Sequence, residues 1–189
     1  MNIQRIKKAN TNKIGKQIEY YKEIESTHTY AKKIAHNIKN DGKIIIAEVQ
    51  TAGIGTKGRK WYTGAEKNIA MTIILHTKSK VKELNGLTTK IAKCIQETIG
   101  ELYGYKLEIK EPNDLMLKGK KICGILTEVH TRGEKIEYLL ISFGFNVNEE
   151  EFSEETKEIA TSLKKEYKRE FLREDIIAKV IEKIEEIEI

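Results

Sequence analysis

Gly53, Gly55 and Gly58 stand within six residues, among the cations Lys57, Arg59 and Lys60, and Trp61, the chain's one tryptophan, follows. Glycine has no Cβ, so such a backbone can approach a ligand closely, and cations beside it suit a phosphate group. The stretch is not a Walker loop, which ends in Gly-Lys-Ser/Thr. Nor is it a Rossmann fingerprint, which opens a helix directly, because a strand-like segment comes next. Taken alone, a glycine-rich basic loop is as consistent with a flexible connection as with a ligand loop. The polar segments around it decide between the two.

Those segments are Glu25-Ser26-Thr27-His28 with Ala31-Lys32, then Ala47-Glu48-Val49-Gln50-Thr51-Ala52 ahead of the glycine loop. After the loop come Lys110-Glu111-Pro112-Asn113-Asp114-Leu115, which holds the single proline, then Lys120-Lys121-Ile122-Cys123-Gly124-Ile125-Leu126, then Gly144-Phe145-Asn146-Val147-Asn148. Singly, Ser26 reads equally well as a helix cap and Gln50 as a strand end. Lys121 alone would be a solvated lysine beside a hairpin turn, and Pro112-Asn113-Asp114 ordinary turn chemistry. As an ordered set over residues 18–148, however, the segments closely resemble the motifs of biotin protein ligases.

That resemblance implies a role for each position. Ser26, Thr27 and Gln50 would hydrogen-bond the ureido ring of biotin, with His28, Gly53 and Gly55 beside it, because a polar ring in an apolar pocket needs such partners. Lys121 would reach the biotin carboxylate and the α-phosphate, where an ammonium neutralises charge as carboxylate oxygen attacks phosphorus. Arg59, with Lys57 and Gly58, would meet nucleotide phosphate or pyrophosphate. Trp61 would pack against adenine, Asn146 would contact its edge, and Asn113 and Asp114 would close around the mixed anhydride, Asp114 also holding Mg²⁺. Catalysis would thus rest on Lys121, Arg59 and Asp114.

The implied activity is ATP-dependent ligation of biotin, through biotinyl-5′-AMP, to a lysine on the biotin carboxyl carrier domain of a carboxylase. A lipoate or octanoate ligase of related fold is an alternative, although the Arg-Arg-x-Ser-Gly-Gly-Gly type motif of that group is not found. A non-catalytic biotin-binding regulatory domain is a second. Ile54 and Thr56 stand where many members of the family carry arginines, His28 where they carry asparagine and Glu111 where they carry tryptophan. The first two substitutions imply a changed hold on the activated intermediate.

The elements that must position these residues follow from periodicity. Ile18, Tyr20 and Tyr21 suggest a short strand after a polar, basic stretch over 1–17. Ser26 or Thr27 can cap a helix in which Ala31, Ile34, Ala35 and Ile38 recur at helical spacing up to an Asp41-Gly42 turn. Residues 43–50 and 69–75 are β-branched runs typical of buried strands. Leu84, Leu87, Ile91, Ile95, Ile99 and Leu102 mark a long amphipathic helix ended by Gly104. Strands are then expected at 107–109, 115–117, 122–130 and 138–147, with turns at Lys118-Gly119 and Arg132-Gly133. Ile176, Ile177, Val180, Ile181 and Ile184 form a last helical stripe. Hairpins interleaved with three helices predict an α+β fold, a mixed and largely antiparallel sheet covered by helices. The resemblance implies a fold similar to that of class II aminoacyl-tRNA synthetases and biotin synthetase.

Composition bounds the rest. With 189 residues, one domain over 1–189 is expected, a catalytic domain without an amino-terminal winged helix or a carboxy-terminal β-barrel domain. The 34 basic against 29 acidic residues leave +5, with lysines scattered among glutamates, so DNA binding is not expected. Cys94 and Cys123 sit in apolar stretches and read as buried thiols of a reducing compartment. With no signal-peptide pattern and no apolar run near the ~20 residues of a membrane span, a cytoplasmic protein with no membrane partner is expected. Exposed strand edges would permit a homodimer.

Overall fold

The computed structural model describes residues 1–61, 64 and 66–189, with Lys57 described in its backbone only. The amino terminus is more ordered than its polarity suggests. Asn2 caps a short helix α1 (Ile3–Ile6), and Ile6 and Ile14 are fully or almost fully buried. The stretch is held by the acidic side of the last helix. One carboxylate, Glu185, accepts the backbone N–H groups of Asn12, Lys13 and Ile14 at 3.1, 2.8 and 3.0 Å, and Glu182 accepts that of Asn10 at 2.7 Å. The polar composition of 1–17 does not reveal this order, because the partners lie about 170 residues away in sequence.

Strand β1 (Ile18–Ile24) follows, then helix α2 (Thr27–Ile34), whose N-cap Ser26 accepts a hydrogen bond from the backbone of Thr29. The helix ends earlier than the apolar spacing predicts. Ile38 falls in a 3₁₀ turn (Ile38–Asn40) and is exposed, since Asn37 and Asn40 bond to nearby backbone instead of continuing the helix. Strands β2 (Ile44–Gln50) and β3 (Ile69–Leu75) match the two β-branched runs. A 3₁₀ turn (Val81–Leu84) precedes α3 (Leu87–Tyr103), so Leu84 is outside the long helix, and Gly104 closes it at φ 71°.

Next come β4 (Glu108–Lys110), β5 (Asp114–Leu117), β6 (Lys120–Arg132) and β7 (Lys135–Phe145), then α4 (Leu163–Tyr167) and α5 (Arg173–Glu185). The seven strands form one sheet in the order β1-β2-β3-β7-β6-β5-β4, parallel between β1 and β2 and antiparallel elsewhere. This is the mixed, largely antiparallel α+β architecture that the pattern predicts, with five α-helices among the described residues instead of three.

Side chains alternate between the two faces of each strand. Ile44, Ile46, Met71, Ile73, Leu139, Ile141 and Phe143 point into the main core with α3 and α5. On the other face Ile45, Ile74, Tyr138 and Leu140 pack under Ala31 and Ala35 of α2. The thiols of Cys94 and Cys123 are free and buried; burial pushes Cys94 up to about 11 and Cys123 higher still, so neither is ionised at neutral pH. Among the described residues no helix is long and apolar enough to cross a membrane.

Candidate active site

The α2 face of the sheet changes character along its length. Beyond Ile74 and Leu140, the same alternation presents Thr72, Ser142 and the cross-strand glycine pair Gly124 and Gly144. Here the sheet floors a cleft of about 230 Å³. Among the predicted site residues, Thr27, His28, Gln50, Gly55, Arg59, Trp61, Asn113, Lys121 and Asn146 line it. Asp114 stands directly behind, while Ser26, Gly53 and Gly58 do not line it. The Lys57 side chain lies outside the described residues.

At one end a chain of hydrogen bonds runs from the cleft to the surface. The Gln50 side-chain oxygen accepts from the Thr27 amide at 2.8 Å and from the Thr27 hydroxyl at 3.1 Å. Thr72 donates to Thr27 at 3.0 Å and shares a 2.8 Å hydrogen bond with Ser142. Ser142 meets His28 Nδ1 at 2.8 Å, and His28 Nε2 meets Glu128 at 3.1 Å. Burial pushes the Glu128 carboxyl up, but hydrogen bonds from Lys32 and His28 outweigh it and hold it below the ordinary range. A fully connected network of this kind fixes Thr27 and Gln50 in place. Thr72, Ser142 and Glu128 escaped the sequence reading; the only available signal was a hydroxyl inside each of two apolar strands.

Ser26 is 1% exposed and its hydroxyl accepts from Thr29, so its role in this structure is that of a cap. Gly53 also has a structural reason to be glycine. A Cβ there would collide with the Trp61 carbonyl, because the loop closes on itself through Trp61 N–H to Gly53 O (2.8 Å) and Gly55 N–H to Arg59 O (2.6 Å). Of the loop glycines described, Gly58 needs its left-handed backbone, at φ 71°.

The other end of the cleft is cationic. Lys121 Nζ lies 2.7 Å from Asp114 Oδ1, which also accepts from Asn113 at 3.0 Å. Regular alternation would send Lys121 to the core with Cys123. A β-bulge prevents this: Cys123 pairs with Leu115 and Lys121 with Met116, so Ile122 is the extra residue and Lys121 shares the face of Gly124. Its ammonium sits 5.5 Å from the centre of the Trp61 ring, within cation–π range. Arg59 folds back on its loop, donating to the Thr56 carbonyl and hydroxyl at 3.3 and 3.1 Å. The Thr56 hydroxyl also accepts from Asn113 at 3.4 Å, so Thr56 joins the loop to the Asn113 turn. The buried Asn146 amide donates to the Thr161 carbonyl at 3.1 Å.

Trp61 forms the wall between the two ends. Its indole lies against Gly124 and Gly144, and its Nε1 is buried without a hydrogen-bond partner among the described residues. A Cβ on Gly144 would fall inside the indole, and one on Gly124 would stand 3.0 Å from it. Gly144→Ala should therefore unseat Trp61. Because Trp61 is the chain's only tryptophan, its fluorescence should shift to the red while far-ultraviolet circular dichroism stays unchanged. Unaltered emission would mean that the indole does not rest on the glycine pair.

A family model for the biotin/lipoate A/B protein ligases matches residues 20–146. The bifunctional ligase/repressor BirA of Bacillus subtilis is 34% identical over 155 residues, 81% of this chain and 48% of the relative. The biotin–[acetyl-CoA-carboxylase] ligase of Paracoccus denitrificans is 30% identical over 125 residues, 65% of this chain and 51% of the relative. The chain thus spans about half the length of these curated relatives. Among solved structures, a biotin protein ligase from Aquifex aeolicus in complex with biotin and ATP superposes on 90% of this chain and 69% of its own, with a TM-score of 0.77 and 28% identity.

Proposed function

Since the chain belongs to the biotin/lipoate A/B protein ligase family, we propose that it activates biotin with ATP and transfers it to a lysine of a biotin carboxyl carrier domain. The observation that carries this reading is the order of groups along one cleft. The Thr27–Gln50 pair lies at one end, the Trp61 indole over two glycines forms the wall, and the Lys121 ammonium lies at the other end. That order fits a ligand with a polar ring, an apolar stem and a terminal carboxylate. A lipoyl ring has no N–H or C=O and would leave Thr27 and Gln50 facing an apolar group, which a hydrogen-bonding site rejects strongly.

In the first step a biotin carboxylate oxygen forms a bond to the α-phosphorus of ATP, and the bond from that phosphorus to the bridging oxygen breaks, releasing pyrophosphate. Lys121 exchanges its Asp114 partner for the two reacting anions and offsets their repulsion. Arg59, already in the cleft lining, is the cation that would turn from Thr56 to the departing phosphates, with Lys57 and Gly58 beside it. In the second step the acceptor amine attacks the anhydride carbonyl, AMP leaves, an amide forms, and the amine loses a proton. Asn113 and Asn146 would frame the adenylate, and Trp61 would pack against biotin's stem or the adenine. Ser26 acts by setting the start of α2 beneath Thr27.

The donor set suits Mg²⁺ carried by the nucleotide, since Asp114 is the carboxylate beside Lys121 and its Oδ1 is already engaged. Asp114 would hold that ion as one ligand, the remainder being phosphate oxygens and water, and the ion would supply further neutralisation of phosphate charge.

With ATP and Mg²⁺, addition of biotin should start pyrophosphate release, and lipoate should do so at a rate lower by roughly 10² or more. Equal rates with the two acids would overturn the assignment of Thr27 and Gln50 to a ureido ring.

A further inference from the structure

A second cluster of ligand-capable side chains lies on the same face of the sheet, beyond the His28–Glu128 end of the cleft. His36 follows α2, His130 is on β6 and Glu137 is on β7; their donor atoms lie within 4.8 Å of one another. Glu137 Oε2 is 3.4 Å from His36 Nδ1 and 3.4 Å from His130 Nε2. His130 lies four residues along β6 from Leu126, which lines the cleft, about 13 Å at the usual rise of a strand.

Three features build this arrangement. His130 pairs with Tyr138 but Thr131 pairs with Ile136, so Glu137 is the extra residue of a bulge, and its carboxylate is turned to the face of His130 and His36. The buried Tyr138 ring orients both imidazoles, stacking on His130 at 4.8 Å and meeting His36 edge-on at 5.0 Å. Arg132 holds the other carboxylate oxygen, Oε1, at 2.6 Å, leaving Oε2 toward the rings. Donors about 2.0–2.1 Å from a tetrahedral Zn²⁺ stand about 3.3 Å apart, close to both histidine–glutamate spacings.

We propose that His36, His130 and Glu137 form a three-ligand site for a borderline divalent cation such as Zn²⁺. The bound ion ties the end of α2 to the β6–β7 hairpin. Two imidazoles and one carboxylate select such a cation over Mg²⁺ or Ca²⁺, and the remaining coordination position is open to water. An orienting partner on the carboxylate, here Arg132, is a usual companion of such sites.

The test is a Zn²⁺ titration of the full chain after removal of metal by a chelator, with affinity read by competition with a metallochromic dye and stability read by thermal melting. One Zn²⁺ per chain is expected, with a higher melting temperature in its presence. His130→Ala, His36→Ala and Glu137→Gln each remove a ligand and should weaken binding by more than the roughly 10- to 100-fold that loss of an orienting outer partner costs, and remove the thermal shift, whereas Asp114→Asn should change neither. All three sites are at least partly exposed, so the variants should fold. Absence of binding at roughly 100 µM Zn²⁺, far above the dissociation constants usual for such sites, would overturn the proposal. So would an affinity left unchanged in all three variants, or a loss confined to Asp114→Asn.

Discussion

Lys121→Ala is expected to slow biotin-dependent pyrophosphate release roughly 10²- to 10³-fold, the cost of removing one preorganised charge-stabilising donor. The effect is electrostatic. The proposed reaction would bring a carboxylate against a polyphosphate, and Lys121 is a cation whose ammonium projects over the Trp61 ring beside Asp114. Its side chain is 27% exposed and its ion pair is short of full burial, so the substitution should leave the fold intact and the melting temperature within a few degrees. Single-turnover pyrophosphate release separates the chemical step from product release. A rate within about tenfold of the parent, less than one such donor is worth, would remove Lys121 from the mechanism.

The largest expected effect on stability lies behind the cleft. Glu48, two residues before Gln50 on β2, is 3% exposed and surrounded by donors. Arg173 reaches its two oxygens at 2.5 and 3.3 Å and donates to the Asn68 carbonyl at 2.9 Å. The Tyr20 hydroxyl and the terminal amine of Met1 add bonds at 2.7 and 3.2 Å. Arg173→Ala would leave a buried carboxylate short of its main partner. A loss of about 3 kcal/mol is expected, at the low end for such cuts because Tyr20 and Met1 remain. For a chain of this size that corresponds to roughly 6–12 °C in melting temperature.

The pH dependence has a definite sign. Burial pushes the Glu48 carboxyl up, but Arg173, Tyr20 and the terminal amine outweigh it and hold it below its ordinary value of 4.5. A carboxylate held low in the folded state stabilises fully above that ordinary value and loses its contribution as pH falls through the lower folded value. The gap in melting temperature between the parent and Arg173→Ala should therefore be complete at pH 7 and narrow below about pH 4. Thermal melts across that range check this, and a gap that widens on acidification would contradict it.

What could be read in the sequence was the set of residues whose chemistry has few substitutes in position. The glycine loop, Gln50, the Asn113-Asp114 turn and Lys121 stand out against apolar strands, and the structure brings most of them to one cleft. The strands and the stripe of α5 were equally plain, because alternation and helical spacing leave direct marks. The two bulges were not. A bulge is one extra residue opposite a partner strand, and nothing in Lys120-Lys121-Ile122-Cys123 or Ile136-Glu137-Tyr138 signals it without knowledge of the register. Yet the bulges turn Lys121 into the cleft and Glu137 toward two histidines. Thr72 and Ser142 were hidden for a related reason, since single hydroxyls in apolar strands gain meaning only when pairing places them side by side. The amino-terminal segment was misread because its order comes from Glu182 and Glu185 at the far end of the chain.

The central claim, that this chain both activates biotin and hands it on, is tested most directly by the intact mass of a biotin carboxyl carrier domain after incubation with the protein, biotin, ATP and Mg²⁺. The expected product is a carrier heavier by one biotinyl group, at its acceptor lysine, only when biotin and ATP are both present and not when that lysine is replaced by arginine. A carrier that keeps its mass while pyrophosphate accumulates would contradict the claim of transfer.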